Sequence, residues 1–186
     1  SSDLVVGGTS KVRVTSDTPV EEADVRAAVD EAGYELVVTV DCGAAAYDAV
    51  AAAAEIGLEV VVIDHHLMRG EEIPKVAALV NPNRLDENDL AASHGHLAAV
   101  GVAFLLAVAT VRTLRARGYF AGRAEPDLLA LLDLVALGTV ADVAAIRGLN
   151  RAFVAQGLKV MARRDNVGLS ALIDASRLTR APSCSD

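Results

Sequence analysis

The sequence predicts an α/β fold: a parallel sheet with helices on both faces, followed by a helical C-terminal half. Three stretches carry that prediction. Glu35 to Gly43 (ELVVTVDCG) and Leu58 to His66 (LEVVVIDHH) are continuous apolar runs rich in β-branched residues. Each meets an acid at its C-terminal end, the pattern of strands in a parallel sheet covered by helices. Between them, residues 44–57 (AAAYDAVAAAAEIG) are Ala-rich and close on Gly57, which suits a helix with its C-terminal cap. Strand, helix, strand is a βαβ unit, and its crossover is expected to be right-handed.

At 186 residues the chain is long enough for one domain with a full core, and 53% hydrophobic residues exclude disorder. Aromatics are only 3%, so the core has to be built from Val, Leu, Ile and Ala. No apolar run reads as a membrane span and no basic-then-apolar leader opens the chain, so the expectation is a soluble, cytoplasmic protein with no membrane partner. Cys42 and Cys184 form no CxxC pair, which argues against a zinc ribbon or a disulfide framework; Cys42 reads as a small buried thiol beside a strand end. The net charge of −8 is unevenly spread. Residues 1–111 hold 18 acids and 6 bases, whereas residues 112–180 hold 11 bases and 6 acids. An acidic half suits cation binding and a basic half suits a phosphate backbone, although ordinary solvated helix faces produce the same imbalance.

Taken in order, KVRVT (11–15) alternates as a short edge strand. VEEADVRAAVDEAGY (20–34) has acids in its first turn and Gly33 near its end, a helix. After the βαβ unit, MRGEEIPK (68–75) is a polar loop, and VAALVNPNR (76–84) is a further strand ending in a turn. Leu85 to Gly95 lacks periodicity and reads as a loop close to the strand ends. Leu97 to Arg117 is a long helix, apolar nearly all round for three turns and basic at its end, so it should be buried and then emerge. Residues 118–125 are a linker. From Pro126, DLLALLDLVALGTVADVAAI repeats apolar positions at helical spacing up to a break at Gly138-Thr139. Leu149 to Arg164 is an amphipathic helix and 166–176 a shorter one. Residues 1–180 form one core, with a sheet part (1–95) and a helical part (96–180); 181–186 read as a disordered tail.

Divalent-metal phosphoester chemistry needs carboxylates and imidazoles converging on one pocket, and Asp41, Asp64, His65 and His66 at two strand ends provide such a set. If the strands are neighbours they lie roughly 4.8 Å apart, so Asp41 and His65 can reach one ion. An acid at a strand end also serves as a helix N-cap, and that reading competes for Asp41. It is weaker for Asp-His-His, because adjacent residues point in opposite directions from a strand and two core histidines would need two separate buried partners. Asp142 lies in GTVADV, where an acid in an apolar setting needs a partner or a metal. Asp133 can simply face solvent. His94 and His96 form an H-x-H that can ligate metal or, before a helix, meet phosphate. No GxGxxG, Walker loop or GxSxG occurs, so nucleotide-cofactor and serine-hydrolase readings have no support.

VTVDCG, VVVIDHH, NPNR, HLAAVGVAFLL and LDLVALGTVADVAAIRGLNR, in that order, resemble the DHH phosphoesterase superfamily, most closely the RecJ-type single-strand-specific 5′→3′ exonucleases. The match covers roughly Glu35 to Asp174. It implies an α/β DHH-type core with a two-metal site for Mn²⁺ or Mg²⁺, single-stranded DNA as substrate in repair and recombination, and a single-strand-binding protein or helicase as partner. Carried over by motif, Asp41 bridges the two ions, and His65 and Asp142 ligate one of them. His66 contacts the scissile phosphate or positions the attacking water, with Asp64 orienting the histidines. His96, together with Asn81 and Arg84 of NPNR, falls among the substrate contacts. The family's D-x-D-G motif has no counterpart before Asp41, and its Gly-Gly-His stretch is absent. That departure implies one ion rather than two, and an inactive fragment in isolation. The competing expectations are a DHH phosphoesterase for short oligonucleotides or cyclic dinucleotides, and a non-catalytic DHH-like binding module.

Overall fold

The computed structural model describes residues 2–4, 12–14, 36–68, 72–86, 93–177 and 182–183; the helix expected at 20–34 and most of the 181–186 tail lie outside the described residues. Its centre is a three-stranded parallel sheet in the order β3-β4-β5, with β3 Leu36–Val40, β4 Glu59–Ile63 and β5 Ala78–Val80. Helix α1 (Tyr47–Glu55) links β3 to β4, and the register pairs Val40 with Ile63 and Ile63 with Val80. All three strands therefore end level with one another, and the residues after them share one rim.

The period-2 alternation of β4 divides the core. Val60 and Val62 point to one face and pack with Leu79, Met68, Ala44 and Val50 of α1. Val61 and Ile63 point to the other, against Leu97, Val102, Leu106, Leu149 and Phe153. Those last residues belong to α2 (Ala99–Ala116) and α4 (Gly148–Met161) or lead into α2. Both faces of β4 are covered, which is why its sequence shows no polar alternation.

Several expectations need correcting. KVRVT does form a strand, β2 (Val12–Val14), but it pairs antiparallel with β1 (Ser2–Leu4) in a separate two-stranded sheet. Gly138-Thr139 does not interrupt its helix: after a 3-10 turn at Leu128–Leu131, α3 runs from Leu132 to Ala141. Gly138 is small because Val100 of α2 would stand 2.9 Å from a Cβ there, and the Thr139 hydroxyl is absorbed by Val135 O at 2.7 Å. Asp133 is buried rather than solvent-facing, with Oδ1 accepting from the Leu134 amide. Cys42 is exposed. Helix α2 is only partly buried, with Leu105 and Val108 open to solvent. By length and composition alone it is also apolar enough to cross a membrane, contrary to the expectation from sequence. It packs on β4 and α3, and Phe104 meets Phe153 edge-on at 5.5 Å. A last helix, α5 (Val167–Ala175), is capped by Asn166.

Candidate metal centre

Asp41 follows β3 and Asp64 follows β4, one residue beyond the Val40–Ile63 pair. Their surroundings differ. Asp64 is 2% exposed, and both its oxygens are in use: Oδ2 accepts from the Ala44 amide at 2.9 Å, and Oδ1 from the His65 amide at 2.8 Å and the His66 Nδ1 at 2.7 Å. Burial alone would push its carboxyl upward, but the hydrogen bonds from Ala44, His66 and His65 win and hold it below the usual carboxylate range. The Asp41 side chain is 58% exposed, and its backbone is left-handed at φ 66°, a conformation Asp tolerates better than most residues. The turn continues through Gly43, φ 111°, where a Cβ would stand 2.7 Å from the Thr39 hydroxyl and 3.2 Å from Val62. Only glycine fits there, and the tight turn is what brings Ala44 N onto Asp64.

The two imidazoles are set in matching tautomers. His65 Nδ1 lies 3.0 Å from Leu97 O, and a carbonyl can only accept, so Nδ1 carries the proton and Nε2 a lone pair. His66 Nδ1 donates to Asp64 Oδ1 in the same way, so that in the neutral ring the lone pair is on Nε2. That hydrogen bond raises the His66 imidazole above its ordinary value; desolvation opposes it, and the charges of Asp64, Asp41 and Asp142 add to it. His65 Nε2 is buried without a hydrogen-bond partner, yet stands 3.2 Å from Asp41 Oδ1. Two acceptors facing each other at that distance fit a shared cation. Ligand atoms of Asp41, His65 and His66 all lie within 4.8 Å of one another, a donor set of one carboxylate and two imidazoles that suits a divalent ion.

Asp142, the C-terminal cap of α3, also approaches the His65 ring, with Oδ2 3.7 Å from Nδ1. It is not in the three-residue cluster, whereas His66, expected at the phosphate, is.

The NPNR turn is a clamp. Asn81, 3% exposed, donates from Nδ2 to His66 O at 2.9 Å and accepts the Asn83 amide on Oδ1. Asn83 Nδ2 donates to His65 O at 2.7 Å and Gly95 O at 2.9 Å. Arg84 is turned inward, with NH1 on Leu79 O and its other two nitrogens paired with Asp86. Asn81 and Arg84, expected to touch substrate, hold the loop through these bonds. Asn150, fully buried, adds a second fastening from Nδ2 to His96 O and Ala145 O. Sequence reasoning missed Asn83 and Asn150; the signal was an amide two residues beyond Asn81 across a proline, and a lone amide inside an apolar helix face. His96 carries two buried ring nitrogens without a partner, and His94 a buried Nδ1, with the rings 6.3 Å apart.

Residues 4–139 match the model of the DHH family, N-terminal domain. The chain is 47% identical over 147 residues to the single-stranded-DNA-specific exonuclease RecJ of Dickeya dadantii, covering 77% of this chain and 25% of that protein. It is 43% identical over 154 residues to the Escherichia coli protein of the same name, covering 80% and 26%. The chain thus spans about a quarter of the length of the curated relatives it matches. Among solved structures, exonuclease RecJ bound to manganese superposes with a TM-score of 0.62 at 33% identity, over 86% of this chain and 37% of that one. RecJ from Thermus thermophilus in complex with Mn²⁺ gives 0.58 at 34%, over 83% and 21%. With its sheet, its Asp-His-His strand end and the family match spanning most of its length, the chain belongs to the DHH family.

Proposed function

We propose that this chain carries metal-binding machinery of an exonuclease that hydrolyses single-stranded DNA in the 5′→3′ direction. The observation that carries this reading is the buried, unpartnered Nε2 of His65 facing the Asp41 carboxylate at 3.2 Å. Asp41, His65 and His66 would hold Mn²⁺ or Mg²⁺, and Asp142, already against the His65 ring, is the fourth candidate ligand. Bound there, the ion supplies polarisation of a phosphoryl oxygen and acidification of a water. Asp64 is a positioning residue: it fixes the His66 tautomer and, through Ala44, the turn that presents Asp41. His96, with ring nitrogens in need of a partner, is assigned to a substrate phosphate. The likeness to single-stranded-DNA-specific exonucleases and the basic balance of residues 112–180 support a DNA substrate. A cytoplasmic setting, and a single-strand-binding protein or helicase as partner of the full-length protein, belong to the same proposal.

The test is calorimetric titration of the chain with Mn²⁺, repeated on Asp41→Ala and His65→Ala, followed by Mn²⁺-dependent release of nucleotides from end-labelled single strands. Stoichiometric binding lost in both variants, with release from the 5′ end, is the expected result. Binding that survives both substitutions would move the ion elsewhere and sink the assignment. Because the cluster offers three ligand atoms, room for one ion, a second reading is a non-catalytic nucleic-acid-binding module. DNA affinity with no metal-dependent turnover would select it, and turnover confined to short oligonucleotides or cyclic dinucleotides would redefine the substrate.

A further inference from the structure

We propose that the C-terminal end of α2 and the turns after it, with Tyr119, Arg112, Arg117 and Arg123, form a second docking surface for single-stranded nucleic acid, remote from the metal centre. It rests on the substrate reading above and extends it to a second region of the chain.

Charge comes first. In a chain with 25 acids and a net charge of −8, no Asp or Glu occurs between Asp89 and Glu125. Within that gap, residues 112–123 (RTLRARGYFAGR) hold four arginines. Glu125 neutralises Arg115 through a two-pronged pair. Among the described residues, Arg112, Arg117 and Arg123 have no acid partner. One cation near a helix C-terminus complements the helix dipole. Arg123 lies beyond the helix, so the dipole does not account for it.

The second observation is aromatic. In a chain with six Phe and Tyr residues in all, Tyr119 and Phe120 stand side by side among these arginines. Tyr119 is 49% exposed, Phe120 meets it edge-on at 5.3 Å, and the Arg123 guanidinium sits 4.5 Å from its ring centroid. The turn is built rather than loose: Tyr119 N donates to Leu114 O, Ala121 N to Gly118 O and Arg123 N to Phe120 O. An exposed ring with the Arg123 guanidinium against it, on a segment that carries two further arginines without acid partners, suits a base and its flanking phosphates, and stacking tolerates any base.

Distance gives the consequence. Helix α2 has 18 residues, about 27 Å of axis, and starts beside Leu97, whose carbonyl holds His65. At about 3.4 Å per stacked nucleotide, a strand needs roughly 8 nucleotides to span from the metal centre to Tyr119. Shorter strands engage the metal centre alone.

The experiment is fluorescence anisotropy of labelled oligodeoxythymidylates, one clearly shorter and one clearly longer than that span, on the chain and its variants. Tyr119→Ala should weaken the long strand about tenfold and leave the short one unchanged, while Tyr119→Phe retains binding. Arg112→Ala, Arg117→Ala and Arg123→Ala should each reduce the slope of log affinity against log salt by about 0.7. Equal losses on both lengths, no loss on the long strand, or an equal loss on duplex DNA would each overturn the proposal. If the unsubstituted chain binds long single strands and the variants do likewise, only the second surface falls. If it binds neither length, the substrate reading falls with it.

Discussion

The ends of β3 and β4 carry the same local pattern, an apolar strand closed by an aspartate, and the fold gives them opposite fates. Asp64 is sealed beneath the rim, with three backbone amides and an imidazole on its oxygens. Asp41 stands in solvent, held by a left-handed turn against an imidazole nitrogen that has no other partner. An acid whose oxygens hold neighbouring amides is scaffold; an acid left facing an unpartnered nitrogen is open to an ion, the role proposed for Asp41. Metal centres need both kinds, because a ligand is only as well placed as the groups that fix its rotamer and tautomer.

The sharpest way to break this contrast is to exchange the losses. Asp64→Ala should destabilise the fold by about 3 kcal/mol, since it leaves the amides of Ala44, His65 and His66 without their acceptor. Urea denaturation reads it, and a change below about 1 kcal/mol would show that Asp64 is not the anchor described. Asn83→Ala comes next, at about 1–3 kcal/mol, because the carbonyls of His65 and Gly95 lose their donor. Its Mn²⁺ affinity should fall about tenfold as well, with every ligand still in place. Unchanged affinity would mean that the clamp does not position the site.

Acidity sharpens the same difference. The Asp64 carboxyl is depressed in the fold, so its contribution is complete above the unfolded value near ~3.9 and lost as pH falls through the folded value. The metal-free chain should therefore lose stability below about pH 4 on a slope that Asp64→Asn flattens, measured by denaturation at a series of pH values. His66 has the opposite sign: it is raised, so its contribution is complete below about 6.5 and lost as pH rises through the folded value. An acid limb identical in Asp64→Asn would contradict the assignment. The smallest effect on stability belongs to Asp41→Gly. Glycine relieves the left-handed backbone and no buried partner is stranded, so stability should shift by less than about 1 kcal/mol while metal binding disappears. A large destabilisation would make Asp41 a structural residue after all.

The order of elements, the parallel strands and the grouping of Asp41 with the Asp-His-His strand end were legible in the sequence because apolar periodicity and strand adjacency are local properties. So was the family, carried by five ordered motifs. Tertiary structure alone decided which side chains are left open to an ion and which are held in hydrogen bonds. Asn81 and Arg84 look like substrate contacts in a linear motif, and only the fold shows that they also donate to His66 O, Leu79 O and Asp86. Asp142 stands 3.7 Å from His65 Nδ1 and His66 joins the cluster through the fold, and the tautomers are set by Leu97 O and Asp64, groups that no spacing rule predicts. Gly138 looked like a helix break and is a point of close helix approach; Asp133 looked exposed and is buried. Residue type fixes what a side chain can donate or accept. Which partner it meets depends on chain segments far apart in sequence, and those meet only when the sheet and its two helical layers have packed.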